Sequence, residues 1–111
     1  MNDKYERQMK KGVLDMLVLK LLESEAKYGY QIIQEMKEKS GGIFVLKDGT
    51  LYPVLYRLED ENMVVNRWSE ATGKQISRKY YEITPDGKLA LKAIKETWEQ
   101  MSEGVSRIME E

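Results

Sequence analysis

Thr50, Tyr52, Pro53, Tyr56 and Arg57 are the residues of this chain whose types and spacing suit chemistry at a ligand surface. They lie in the stretch from Asp48 to Glu59, where Leu51, Val54, Leu55 and Leu58 recur at helical spacing and the five residues above point away from that stripe. Such a face offers contacts to nucleic acid. An arginine can reach a guanine edge or a phosphate, the Thr50 and Tyr52 hydroxyls a phosphate, and Pro53 and Tyr56 a thymine methyl or a sugar. The bland alternative is a solvated helix face, but two tyrosines and a proline are odd choices for solubility. A second cluster follows. Between Arg67 and Tyr80 the basic residues Arg67, Lys74, Arg78 and Lys79 face a single acid, Glu70. Either these bind phosphate or they balance charge across strands. Alternate strand residues face opposite ways, so Arg78 and Lys79 cannot both reach phosphate. Lys79 shares its face with Tyr81 and Ile83, which read as buried, and Arg78 is therefore the better phosphate candidate.

Composition narrows the field. The chain has 111 residues, 41% of them hydrophobic and 33% charged, enough for one domain with a core. It contains no cysteine and no histidine, which removes disulfides, thiol nucleophiles, ordinary zinc sites and the commonest general base. No glycine-rich phosphate loop or nucleophile elbow is present, so no enzyme, metal or cofactor is expected. There is no apolar run long enough for a membrane span and no leader pattern, and a cytoplasmic location is expected. The net charge of −1 does not advertise nucleic-acid binding, but charge is polarised along the chain. From Glu96 onward five acids face only Arg107, so the hairpin region attracts phosphate and the C-terminal end repels it.

The elements that must hold these residues follow from periodicity. Residues 1–10 read as a polar arm or a fraying helix. Val13, Leu14, Leu17, Val18, Leu21 and Leu22 predict a helix over Lys11 to Glu23, and Ser24 to Lys27 a connection. A helix over Tyr28 to Lys39 carries Tyr30, Ile33 and Met36 on one face, and Ser40-Gly41-Gly42 ends it. Ile43 to Leu46 is either a short strand or, as favoured here, an extended loop plugging the core. Pro53 is harmless only in a first turn, so Thr50 is placed as N-cap and Pro53 at the third helical position, with the helix ending near Asn62. Val64 to Ser69 and Ser77 to Ile83 form a hairpin around a polar loop carrying Gly73 and Lys74. Thr84-Pro85-Asp86 then opens a last helix that runs to about Glu110.

That helix carries Leu91, Ile94, Trp98, Met101, Val105 and Ile108 at alternating separations of three and four, a heptad seam. It would be roughly 39 Å long at ~1.5 Å per residue, against a diameter of about 34 Å for a compact domain of this size. Its apolar stripe should overhang the body, and a second copy of the chain is the simplest cover. A helix followed by a basic hairpin is the arrangement of a winged helix-turn-helix on DNA.

Tyr28-Gly29-Tyr30, Gly49-Thr50-Leu51-Tyr52-Pro53, Arg57-Leu58-Glu59 and Arg78-Lys79-Tyr80-Tyr81, with Thr84 and Gly87, resemble the PadR family of bacterial transcriptional regulators. The resemblance spans about Gly12 to Trp98. It implies a winged helix-turn-helix with a C-terminal dimerisation helix, a palindromic operator and, usually, repression. The small subgroup with one C-terminal helix includes sensors of toxic aromatic compounds, in which a tryptophan on the last helix lines a pore between subunits; Trp98 falls at the similar place. Asn62 stands where the family often has glycine, and the loop Glu70 to Gln75 is not a family signature, so sequence preference does not carry over.

The expected fold is therefore mainly α with a small β-hairpin, an α+β winged helix-turn-helix over residues 1–83 and a dimerisation helix over 84–111 in one compact unit. The expected partners are duplex DNA with an inverted-repeat operator, a second copy of the chain, and a small aromatic effector beside Trp98, Met16, Met101 and Ser102. Trp98 on the seam reads equally as plain dimer core. The rival to the whole reading is a winged-helix module used for protein–protein contact.

Overall fold

Leucines at helical spacing on two segments meet to form the core. The computed structural model describes residues 3–70, 73 and 76–110, so Lys74 lies outside the described residues. Among the described residues five helices, α1 (Asp3–Lys10), α2 (Leu14–Leu22), α3 (Gly29–Lys39), α4 (Asp48–Asp60) and α5 (Pro85–Met109), accompany three strands, β1 (Lys27–Tyr28), β2 (Val64–Trp68) and β3 (Lys79–Ile83). Val18, Leu19 and Leu22 of α2, Ile32 of α3 and Leu51, Leu55 and Leu58 of α4 are buried together, closed on one side by Val64, Tyr81 and Ile83. The polar N-terminal arm is a helix of its own, separated from α2 by a turn at Lys11 to Val13.

The sheet is larger than the expected hairpin. β3 lies between β1 and β2 and is antiparallel to both, with Tyr28 opposite Tyr80, Lys27 opposite Tyr81 and Trp68 opposite Lys79. The segment read as a connection supplies β1, and with it a buried lysine. Lys27 Nζ lies 3.2 Å from Ser24 Oγ, 3.4 Å from Glu35 and 3.6 Å from Glu25, which keeps its charge paired inside the fold. Tyr30, grouped above on one face with Ile33 and Met36, is 64% exposed; Ile32 and Met36 are the side chains that α3 buries. In the segment Ile43 to Leu46 only Leu46 is fully buried, and Ile43 and Val45 face solvent.

Helix ends follow local chemistry. After α3, Gly41 and Gly42 take φ of 65° and 83°, and Gly42 N–H donates to Lys37 O at 2.8 Å. After α4, Asn62 takes φ 65° and Met63 N–H donates to Leu58 O at 2.9 Å, the same closure without glycine. Thr84 caps α5, its Oγ1 accepting from Gly87 N–H at 2.9 Å and donating to Asn62 O at 2.7 Å. No described helix is long and apolar enough to cross a membrane.

Tyr81 gives the core a pH limit. It is 1% exposed, and its hydroxyl has no hydrogen-bond partner among the described residues. Burial, reinforced by the Glu59 carboxylate, pushes its pKa up to about 12 from 10.0. A folded value above the unfolded one stabilises the fold fully below pH 10, and that contribution drains away as pH rises toward 12. Each pH unit between the two values corresponds to roughly 1.4 kcal/mol, so about 2–3 kcal/mol should be lost across that window. Tyr81→Phe should be as stable as the parent at pH 7 and should flatten this alkaline loss. Denaturant melts at successive pH values test it; a Phe variant that loses stability as steeply as the parent above pH 10 refutes the assignment.

Candidate nucleic-acid interface

α4 begins one turn earlier than the proline rule suggested. Lys47, in extended conformation, is the N-cap, and its carbonyl accepts from Thr50 and Leu51 N–H at 3.0 Å each. Thr50 is therefore inside the helix, not its cap, and Pro53 falls in the second turn. The proline removes one intrahelical bond, the one to Gly49 O, at a cost of about 3 kcal/mol. Burial of Leu51, Val54, Leu55 and Leu58, roughly 1.5–3 kcal/mol each, outweighs that cost. Gly49 is exposed, so water can satisfy its carbonyl.

Thr50, Pro53, Tyr56 and Arg57 form the exposed face of α4. Tyr52 does not belong to it. Its ring turns toward the start of α3 and is half-buried against Gly29, where an added Cβ would sit 2.5 Å from the Tyr52 hydroxyl. The glycine of Tyr28-Gly29-Tyr30 thus makes room for the tyrosine of Leu51-Tyr52-Pro53. Tyr52 lies 6.0 Å, ring to ring, from Tyr56 and supports it from behind. Arg57 is also engaged: its Nη2 pairs with the Asp15 carboxylate of α2 while the side chain stays 48% exposed.

The hairpin cations divide between the two faces of the sheet as expected, with Lys79 half-buried and Arg78 exposed. Lys79 Nζ lies 5.8 Å from the Tyr56 ring centroid and 5.4 Å from that of Tyr81, on the α4 side. Arg78 lies on the other face, its guanidinium 4.5 Å over Tyr28. There it continues a ladder in which Tyr28 meets Tyr80 edge-on at 5.5 Å and Arg67 covers Tyr80 at 5.6 Å. Lys79 is half-buried rather than part of the core because the core stops at Tyr81, leaving the far end of β3 beyond it. Trp68, opposite Lys79 and 64% exposed, shares that α4-facing side, and sequence reasoning missed it. The available signal was strand alternation, which puts Trp68 on the same face as Val64, the buried residue of β2. Among the described residues no cluster of acids could hold a metal.

α5 separates the seam residues. Leu91 is 5% exposed, part of the chain's own core rather than an intersubunit contact, and Ile94 is partly buried against the same core. Trp98, Met101, Val105 and Ile108 are exposed. Trp98 stands between two open grooves of about 680 Å³ each. Met101 and Ser102 line one and Met16 the other, so the four proposed ligand contacts do not share a single wall. Met16 is itself largely core.

The relatives of the chain agree with this architecture. A transcriptional regulator from Clostridium thermocellum superposes with a TM-score of 0.84 at 30% identity, over 90% of this chain and 96% of that one. A PadR-like transcriptional regulator from Bacillus cereus superposes with a TM-score of 0.78 at 32% identity, over 94% and 98%. The negative transcriptional regulator PadR of Bacillus subtilis is 33% identical over 79 residues, 71% of this chain but only 43% of that protein. α3, α4, the sheet and the start of α5 all lie within residues 18–93, the span matched by the PadR-like family of transcriptional regulators, and the chain belongs to that family.

Proposed function

We propose that the chain acts as a homodimeric repressor that binds an inverted-repeat operator and is released by small aromatic or apolar compounds. The observation that carries the DNA-binding part is the surface that runs from the exposed Thr50, Pro53, Tyr56 and Arg57 of α4 to the half-buried Lys79 and the exposed Trp68 of the sheet. α4 enters the major groove and the strand ends touch the neighbouring backbone. Two copies joined along α5 present their α4 helices to half-sites about 10 bp apart or a multiple of that.

The test is a salt titration with single substitutions. Arg57→Ala and Lys79→Ala should weaken duplex binding without unfolding the chain, and Lys79→Ala should cost more than Arg78→Ala. Removing a phosphate contact lowers the salt slope by about one, whereas removing a base contact costs roughly 1–3 kcal/mol at one operator position. Binding that is insensitive to salt would leave the protein–protein module as the better reading.

For the effector, Trp98 supports stacking of a flat ligand near the two-fold axis, where two indoles come close. Such compounds should quench Trp98 fluorescence, read in Trp68→Phe so that Trp98 is the sole indole, and should release DNA from the parent. Trp98→Ala dimers that bind the same compounds with unchanged affinity would make Trp98 core alone.

A further inference from the structure

Arg57 is not a free cation. Its guanidinium is paired with Asp15, forty-two positions away in sequence and on a different helix. The carboxylate is firmly mounted: Asp15 sits in the first turn of α2 between Leu14 and Met16, both buried. The arginine is the movable partner, on a long side chain that is 48% exposed. An ion pair this open to water contributes little to folding, so its main consequence lies in what it does to the arginine.

We infer that Asp15 is a positioning residue that sets DNA discrimination, by cancelling the charge of Arg57 toward phosphate and holding its guanidinium over the exposed face of α4. This rests on the DNA-binding reading above. An unpaired arginine on that face would be drawn to any phosphate, a contact that raises affinity for every sequence alike. Paired with Asp15, it gains less from a passing phosphate, since the carboxylate already fills part of its fork. The rest of the fork stays open to solvent and is oriented in advance for a base edge with two acceptors, such as guanine. The ion pair therefore lowers binding to random DNA more than binding to the operator. Specificity is the ratio of the two.

The experiment compares the full-length chain with Asp15→Asn, Asp15→Glu and the Asp15→Asn/Arg57→Gln double variant. The probes are a random-sequence duplex and the duplexes that the parent chain enriches from a randomised pool. Asp15→Asn should bind the random duplex several-fold more tightly, with a salt slope steeper by about 0.9 for each Arg57 released. Its ratio of enriched to random affinity should fall, and its preference at the base position read by Arg57 should relax. Asp15→Glu should restore the parent slope, and the double variant should show no gain over Arg57→Gln alone. A purely structural role would lower the melting temperature and leave slope and ratio untouched, and that result overturns the inference while the DNA-binding reading stands. A parent chain with no salt-dependent duplex binding overturns both.

Discussion

Met101→Glu combined with Val105→Glu should yield a folded monomer whose operator affinity falls on the order of 10²–10⁴-fold. Beyond Leu91 the long α5 buries no side chain fully, and Trp98, Met101, Val105 and Ile108 are 46%, 66%, 58% and 73% exposed. They stand on one stripe of a helix that carries the molecule out to 62 Å in its longest dimension against 31 and 21 Å in the others. Covering what remains exposed of each such side chain stabilises an assembly by roughly 1–2 kcal/mol, and two-fold symmetry counts every residue twice. Two glutamates per chain place four like charges in one seam and remove that gain. The core of α2, α3, α4 and the sheet lies elsewhere, so the monomer should keep its helical signal. A dimer reads two half-sites at once, and its advantage over one half-site is the effective concentration of the second, which gives the range above. Sedimentation of parent and variant, with DNA titration of each, checks it. A parent chain that sediments as a monomer at micromolar concentration, or a double variant that remains dimeric, sinks the proposal.

Gly87→Ala should be the most damaging single methyl in the chain. Gly87 is buried in the first turn of α5, where an added Cβ would run into the backbone carbonyl of Met63 and come within 2.7 Å of Ile83 Cγ1. That carbonyl cannot swing aside cheaply, because it accepts the Thr84 N–H at 3.0 Å, and Thr84 in turn caps α5 and bonds Asn62 O. One methyl thus strains the junction of α4, the sheet and α5 together. We expect a loss of roughly 3 kcal/mol and a fall in melting temperature of about 10–20 °C. Gly104→Ala on the same helix, with nothing within 4 Å of its added Cβ, is the control and should not destabilise the subunit. Equal stability of the Gly87→Ala chain in denaturant would show that the junction gives way freely and is not the rigid point inferred here.

Local pattern determined much of this protein. The leucine spacing of α2 and α4, the left-handed closures at Gly41-Gly42 and Asn62, the Thr84 cap and the α5 stripe could each be read within a turn or two of chain. Each depends on neighbours three to five residues away, and such preferences are written in sequence directly. The exposed half of the α4 face was legible for the same reason. What the tertiary structure decided are contacts between residues far apart. A two-residue strand has no period, so only pairing with Tyr80 and Tyr81 makes β1 and buries Lys27. Tyr52 left the exposed face because Gly29 opens a space for it, Arg57 gained a partner in Asp15, and Leu91 joined its own core. Pro53 was admitted to a second turn because buried leucines on either side outweigh one missing hydrogen bond. Strand alternation put Lys79 on the Tyr81 face, but only the packing of α4 against the sheet brought it beside Tyr56, because a contact between two elements depends on how they pack and not on the residues of one strand.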